Sequence, residues 1–264
     1  MTTARVRVAL VDSGVGLLAA AAAVRRLRPD ADLVLSCDPD GMPWGPRGPE
    51  DITARALTCA RAAAGTRPDA LIVACNTASV HALATLRAEL EPALPVIGTV
   101  PAVKPAAARG EPFAVWATPA TTASTYQRRL VADFAAGVPA TGVPCHGLAD
   151  AVERADDAAI RAAVKAAADL TPPDIRTVVL GCTHYELVAD HIRDHLAAAT
   201  GARVALLGSA EAVAAQALRR AGHAPAPSAP ATGTLTVLAL GEPSTLPEAA
   251  LAYPEGRLLA AGAA

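Results

Sequence analysis

Apolar residues along this chain fall into short blocks separated by longer alanine-rich stretches, and the boundaries carry turn residues. Val6 to Val11 reads as a strand, Asp12 to Gly16 as a tight turn, and Leu17 to Leu27 as a helix stopped by Arg28-Pro29-Asp30. Leu33 to Cys37 is a second strand. A Pro/Gly-rich loop over 38–49 follows, of a length that usually carries function in a compact domain, and then a helix from Glu50 to Ala64. Ala70 to Ala74 is an apolar run of buried-strand type that breaks at Cys75-Asn76-Thr77 and continues as a helix through Leu90. Pro95 to Gly98 is a short strand, and Thr99 to Pro105 a crossover.

A second series then begins. Phe113 to Ala117 is a strand, Thr118 to Thr121 a turn, and a helix runs to Ala135. A strand at Thr141 to Cys145 precedes one long helix over Leu148 to Leu170. Thr177 to Gly181 is a strand that hands over at Cys182-Thr183-His184 to a helix ending near Ala199. Val204 to Leu207, a surface connection over Ala224 to Thr232, and a last strand at Thr234 to Leu240 complete the order. Strands alternating with helices predict an α/β protein with mostly parallel sheets flanked by helices.

The two series repeat one plan. Cys75 and Cys182 are 107 residues apart, and Asp12 and Thr118 are 106 apart. This predicts a duplicated α/β half. Two such halves facing each other would put the cysteines on opposite walls of one cleft. Each cysteine sits where a strand hands over to a helix, the edge at which ligands bind in parallel sheets. Helix-start N–H groups there favour the thiolate.

Composition narrows the classes. The chain has 264 residues, 52% hydrophobic, with a formal net charge of -2. It is long enough for one large or two small cores and carries no basic stripe that would argue for nucleic acid. Five cysteines without short regular spacing fit reduced intracellular thiols better than a disulfide scaffold. Asp12 interrupts the apolar stretch after Arg5 and Arg7, so that stretch reads as a first strand, not a targeting segment. Leu17 to Val24 is too short to span a bilayer. The expected location is cytoplasmic, with no membrane partner.

Two thiols in matched settings allow four readings. A disulfide would waste two strand ends. A metal site would need more soft ligands than His184 supplies. A redox pair normally comes as C-x-x-C. A two-base proton transfer has one thiolate remove a proton from a carbon acid and the other thiol return one to the opposite face, with no cofactor. Asp12 and His184 are candidates to tune it. This fourth reading leads on the residues alone, and the others stay open. Cys37, Cys59 and Cys145 read as small buried hydrophobes, and His81, His191 and His195 as packing or surface residues. Asp12 could also be a cap, Glu153 a solvent-face charge, and Trp44 ordinary packing, although its polar Gly/Pro loop favours a pocket wall. A rival dinucleotide fingerprint, Gly14-x-Gly16-x-x-Ala19 with Asp38 after the next strand, is short, common and crowded by Asp12.

VDSGVG (Val11 to Gly16), MPWG (Met42 to Gly45), VACNTAS (Val73 to Ser79) and LGCTHYEL (Leu180 to Leu187) together resemble the signatures of the glutamate racemases, in the right order, over Val6 to about Leu218. The resemblance implies that Cys75 and Cys182 are the catalytic acid/base pair, assisted by Asp12, His184 and Glu153. It implies that Ser13, Asn76, Thr77, Thr121 and Thr183, with Thr118, hold the carboxylates and ammonium of the substrate. Pro43, Trp44 and Gly45 would form a loop at the site. It further implies two pseudo-symmetric α/β domains, 1–98 completed by 205–264, and 99–204, with a small acidic amino-acid substrate, no cofactor, a homodimer, and D-glutamate of the kind used in peptidoglycan; no metal is expected from the residues themselves. Leu17, Trp44 and His146 stand where the family usually has Gly, Tyr and Pro, and Trp44 bears on substrate choice. The alternatives are an isomerase of another small acid, a nicotinamide-dependent oxidoreductase, or a silent binding protein.

Overall fold

A computed structural model describes residues 5–261 of the protein. The chain divides into two compact units, one made of the residues up to Thr99 together with those from Ala210 onward, the other of Val100–Ser209. The first unit opens with β1 (Arg7–Asp12), a 3₁₀ turn (Val15–Leu17), α1 (Leu18–Leu27), β2 (Asp32–Cys37), α2 (Pro49–Gly65), β3 (Ala70–Val73), α3 (Asn76–His81), α4 (Leu83–Leu90) and β4 (Val96–Gly98). The second holds α5 (Val103–Ala107), β5 (Phe113–Ala117), α6 (Pro119–Thr122), α7 (Thr125–Phe134), β6 (Ala140–Pro144), α8 (Leu148–Glu153), α9 (Asp157–Asp169), β7 (Thr177–Leu180), α10 (Thr183–Glu186), α11 (Ala189–Thr200) and β8 (Ala205–Leu207). The chain returns to the first unit as α12 (Ala210–Arg220), β9 (Leu235–Ala239), β10 (Glu242–Ser244), a 3₁₀ helix (Glu248–Ala252) and α13 (Pro254–Ala261).

The first sheet has the order β10-β9-β2-β1-β3-β4 and the second β6-β5-β7-β8. The blocks β2-β1-β3-β4 and β6-β5-β7-β8 share one topology and are parallel throughout; β10 alone runs antiparallel. Every residue of β3, β5 and β7 is buried. Helices on both faces of a parallel sheet demand such strands, which is why they read as unbroken apolar runs.

Register fixes how the halves correspond. Val11 pairs with Val73 and Trp116 with Leu180, and Val73 and Leu180 each lie two residues before a cysteine. Val11 therefore matches Trp116, and Asp12 matches Ala117. The near-equal spacing in the sequence suggested Thr118 as the partner of Asp12; the structure makes Thr118 the counterpart of Ser13 instead.

Three predicted helices are divided. The stretch after Cys75 is α3 and α4, that after Cys182 is α10 and α11, and Leu148 to Leu170 is α8 and α9. The last break has a clear cause: Ala155 takes a left-handed φ of 52°, and the Asp156 carboxylate then accepts the Ala159 N–H as a new N-cap. Ala205–Leu207 pairs with β7, so this strand belongs to the second unit and not to the segment that completes the first. The outer ends of the expected first domain, 1–4 and 262–264, lie outside the described residues.

The return of the chain is clamped where β2 starts. Thr234 donates its N–H (3.0 Å) and hydroxyl (2.8 Å) to Asp32 Oδ1, and the Arg25 guanidinium donates to the carbonyls of Ala31 and Thr234. A Cβ on Gly233 would lie 2.0 Å from the Ala31 carbonyl oxygen, so only glycine lets the segments meet. Burial pushes the Asp32 carboxyl up, but the two Thr234 hydrogen bonds with Arg5 and Arg7 outweigh it, and the net direction is down. A carboxyl depressed in the folded state contributes stability above its unfolded pKa, about 3.9, and loses it as pH falls through the folded value. Asp32→Ala should therefore lower unfolding free energy by about 1–3 kcal/mol at neutral pH. In urea titrations the gap to the native protein should narrow below about pH 4; a gap that stays constant with pH would refute the ionised clamp.

Candidate active site

The first thiol is delivered by β3. The Ala74 N–H donates to the Val11 carbonyl at 2.8 Å, one residue beyond the strand, and Cys75 follows in an extended conformation (φ -135°, ψ 123°) as the residue before α3. Asp12 ends the neighbouring β1, so its carboxylate starts from the same sheet edge. It is fully buried and accepts the Ser13 N–H at 2.7 Å, with the Ser13 hydroxyl at 3.4 Å. Asn76 is buried and Thr77 half-buried on the first turn of α3. The structure thus gathers Asp12, Ser13, Cys75, Asn76 and Thr77 at the carboxyl ends of two adjacent strands.

The loop over 38–49 is built around a buried acid. Asp38 accepts the Gly41 N–H (2.9 Å), the Trp44 indole N–H (2.8 Å) and the Arg55 guanidinium (3.0 Å). Trp44 is 1% exposed and packs in the same buried cluster as Cys75, Val73 and Ile52. Its ring is packed into that core, while Pro43 and Gly45 beside it stay half-buried. A fully buried Asp38 with all these donors is also not placed to hold a ribose, which removes the acidic residue from the dinucleotide alternative.

The second thiol repeats the backbone with different neighbours. The Gly181 N–H donates to the Trp116 carbonyl at 2.7 Å, and Cys182 is extended (φ -141°, ψ 135°) before α10. His184 Nδ1 lies 3.8 Å from Cys182 Sγ, and its Nε2 lies 2.9 Å from Glu153 Oε2 on α8. With Nε2–H donated to Glu153, the Nδ1 lone pair faces the thiol. The imidazole can then take the Sγ proton while the carboxylate steadies the charged ring, as an oriented base does. Cys182 and Glu153 occupy opposite ring nitrogens, so the three do not converge on one ion. Thr118 follows β5 as the N-cap of α6 and accepts the Thr121 N–H at 3.3 Å while donating to Thr121 Oγ1 at 3.0 Å; Thr183 is buried on α10.

The remaining cysteines differ in kind. Burial, with the Asp38 carboxylate beside it, pushes the Cys59 thiol up to about 12. Burial raises the Cys145 thiol further, helped by Cys182. Both stay protonated near neutrality and are unsuited as bases. Cys37 is half-buried, its thiol 3.9 Å from the Gly14 carbonyl.

The two helices behind the thiols are short, six residues for α3 and four for α10. What faces each cysteine is therefore a first turn of N–H groups and not the dipole of a long helix. Supporting residues to which the sequence assigned no place at the site are Ser79, Thr99, Tyr185, Glu186 and Ser209, the last of which reads only as a cap for the helix after it. The Tyr185 phenol is fully buried and donates to the Cys145 carbonyl at 3.4 Å. The available signal was only that Ser79 and Glu186 each lie four residues after a cysteine.

Geometry and comparison agree on the class. The sequence pattern of the Asp/Glu/Hydantoin racemase family matches residues 16–217, and the chain belongs to that family. It is 37% identical over 212 residues to the glutamate racemase of a Roseiflexus species, covering 78% of this chain and 76% of that protein. It is 38% identical over 247 residues to that of Granulibacter bethesdensis, covering 90% and 82%. The crystal structure of Escherichia coli glutamate racemase, in complex with L-glutamate and the activator UDP-MurNAc-Ala, aligns with a TM-score of 0.77 at 26% identity over 94% of this chain and 92% of that one.

The core position of Trp44 is testable. Trp44→Phe removes one donor from buried Asp38 and should cost about 1–3 kcal/mol of unfolding free energy. Urea denaturation followed by circular dichroism checks this, and an unchanged midpoint would mean that the indole N–H does not hold the loop.

Proposed function

We propose that this protein interconverts L- and D-glutamate without a cofactor, using Cys75 and Cys182 as the two bases. The observation that carries the reading is that two thiols are presented by the same backbone device, with nearly equal dihedral angles, the second beside His184 and Glu153 and the first at a sheet edge it shares with Asp12. One thiolate takes the α-proton, leaving a carbanion-like intermediate. The other thiol gives a proton to the opposite face, and the enantiomer results. In this reading Asp12 tunes Cys75, while His184, oriented by Glu153, tunes Cys182. Ser13, Asn76, Thr77, Thr118, Thr121 and Thr183 provide donors for the carboxylates and acceptors for the ammonium, with Pro43 and Gly45 nearby. Donors fixed in advance matter most where charge builds in the transition state.

Glutamate as substrate is supported by the names of the relatives and by the E. coli enzyme having been solved with it. Among the described residues no helix is long and apolar enough to cross a membrane. A cytoplasmic homodimer completes the proposal and rests on the family resemblance.

Incubation of the metal-free, dialysed protein with L- or D-glutamate in D2O should place deuterium at Cα and yield the other enantiomer. No exchange with glutamate would sink the reading; exchange with aspartate alone would move the substrate. Cys75→Ser and Cys182→Ser should each lower racemisation by at least about 10²- to 10⁴-fold, the size of a lost acid/base group. Full activity in either variant would reject the two-base step.

A further inference from the structure

We propose that Glu186 is a positioning residue for Cys182, and that Ser79 is its counterpart for Cys75. Each ties the short helix behind its cysteine to the stretch just past the neighbouring strand, Ser209 after β8 and Thr99 after β4. The role in catalysis rests on the two-cysteine reading above; the mechanical role does not.

A helix of four residues such as α10 does not hold itself, because its first turn costs more order than its few hydrogen bonds return. Three consecutive side chains hold it instead. His184 meets Glu153 on α8, the Tyr185 hydroxyl donates to the Cys145 carbonyl after β6, and Glu186 reaches the end of β8. There the Ser209 N–H (2.8 Å) and hydroxyl (2.9 Å) both donate to Glu186 Oε1. Gly208 makes room: a Cβ on it would lie 2.3 Å from Glu186 Oε2. Hydrogen bonds to a carboxylate are shorter and stronger than neutral ones.

The first unit solves the same problem with other atoms. Ser79 lies four residues after Cys75, as Glu186 does after Cys182. The Thr99 N–H donates to Ser79 Oγ at 2.9 Å. The hydroxyls of Ser79 (3.2 Å) and Thr99 (2.8 Å) both donate to the Val73 carbonyl, two residues before the thiol. Ile72 pairs with Ile97 and Val179 with Leu207, so Gly98-Thr99 and Gly208-Ser209 occupy one topological position. A Cβ on Gly98 would sit 2.5 Å from Leu83 Cδ2, the tip of a side chain on α4. Two unrelated side chains, a hydroxyl and a carboxylate, meet the same backbone N–H at the same place in the repeat. Thr99 and Ser209 are also the last residues before the chain leaves its unit. Each latch thus fixes a crossing point of the chain to the turn that bears a thiol.

The test reads each cysteine separately. Iodoacetamide alkylation, followed by peptide mass spectrometry, should speed up severalfold at Cys182 in Glu186→Ala and stay at the native rate at Cys75; Ser79→Ala should give the reverse. Glu186→Gln keeps an oxygen for the Ser209 donors and should behave as the native protein does. For racemisation, Glu186→Ala should lower kcat by about tenfold or more, as a misplaced reacting group does, with KM little changed, and Glu186→Gln should restore it. Should Glu186→Ala fail to fold, Ser209→Ala, which removes one donor, is read in the same way. Native alkylation rates at both cysteines in the folded variants would overturn the proposal, whatever the racemase assay reads. The cysteine-specific pattern in a protein that does not racemise glutamate would sustain the latch and overturn only the functional reading.

Discussion

Each cysteine is placed by one backbone hydrogen bond. The residue before it donates its N–H to the carbonyl at the end of the adjacent strand, Ala74 to Val11 and Gly181 to Trp116. The parallel pairing thereby continues one residue past the strand, and the cysteine is held extended before the chain turns into a helix. In the second unit the approach is so close that a Cβ on residue 181 would lie 2.9 Å from the Trp116 oxygen and 3.1 Å from the Ala117 side chain, hence the glycine. Trp116 is itself fixed, its indole N–H donating to Thr171 Oγ1 at 2.9 Å inside the core. The thiols inherit their positions from the two sheets, and the sheets from buried apolar strands. Breaking such a buried bond leaves an unsatisfied donor that costs about 1–3 kcal/mol, and the loss falls on the thiol's position.

On this common frame the chemistry diverges. The first half has an acid at the end of its first strand, Asp12; the corresponding residue of the second half is Ala117. The second half places its charge-bearing groups later, His184 two residues past the cysteine and Glu153 from α8. A carboxylate accepts hydrogen bonds only, whereas an imidazole between a thiol and a carboxylate can take and return a proton through Nδ1. The two thiols are alike in backbone and unlike in proton chemistry. A reversible transfer needs each to serve as acid in one direction and base in the other, so the two neighbourhoods are free to differ so long as each supports both states.

What could be read in the sequence follows from what buries what. β1, β3, β5 and β7 were legible because covered strands must be apolar throughout. The repeat was legible from the cysteine spacing, but its register was off by one at Thr118, because spacing alone does not see strand pairing. The continuous helices over 76–90, 148–170 and 183–199 were too long: the alanine-rich sequence carries no Gly or Pro at Ala82, Ala155 or Val188, where the helices break. β10, with Pro243 and three exposed residues, has nothing strand-like in it. The candidate thiols, Asp12 and His184, were visible because each lies within a short motif. Glu153 lies 31 residues from His184 and entered only through family resemblance. The burial of Trp44 did not show because its partner, Asp38, sits in a polar loop whose own burial the pattern does not reveal. The latch pairs, Ser79 with Thr99 and Glu186 with Ser209, are polar and 20 and 23 residues apart, and no periodicity links them.

Parallel strands also separate stability from chemistry. All carboxyl ends of the first sheet's parallel strands fall on one edge, where Asp12 and Cys75 lie. The clamp that secures the returning β9 lies at the opposite edge, where β2 begins at Asp32 and Arg25 and Thr234 meet it. Arg25 holds three carbonyls there and Asp32 two donors, so that edge is spent on closing the sheet. On the two-cysteine proposal, changes at the clamp act on how much protein is folded, and changes at the cysteine edge on what the folded protein does. The latches run along the cysteine edge, from the thiol-bearing helices to the ends of β4 and β8, and for that reason belong with the chemistry and not with the clamp.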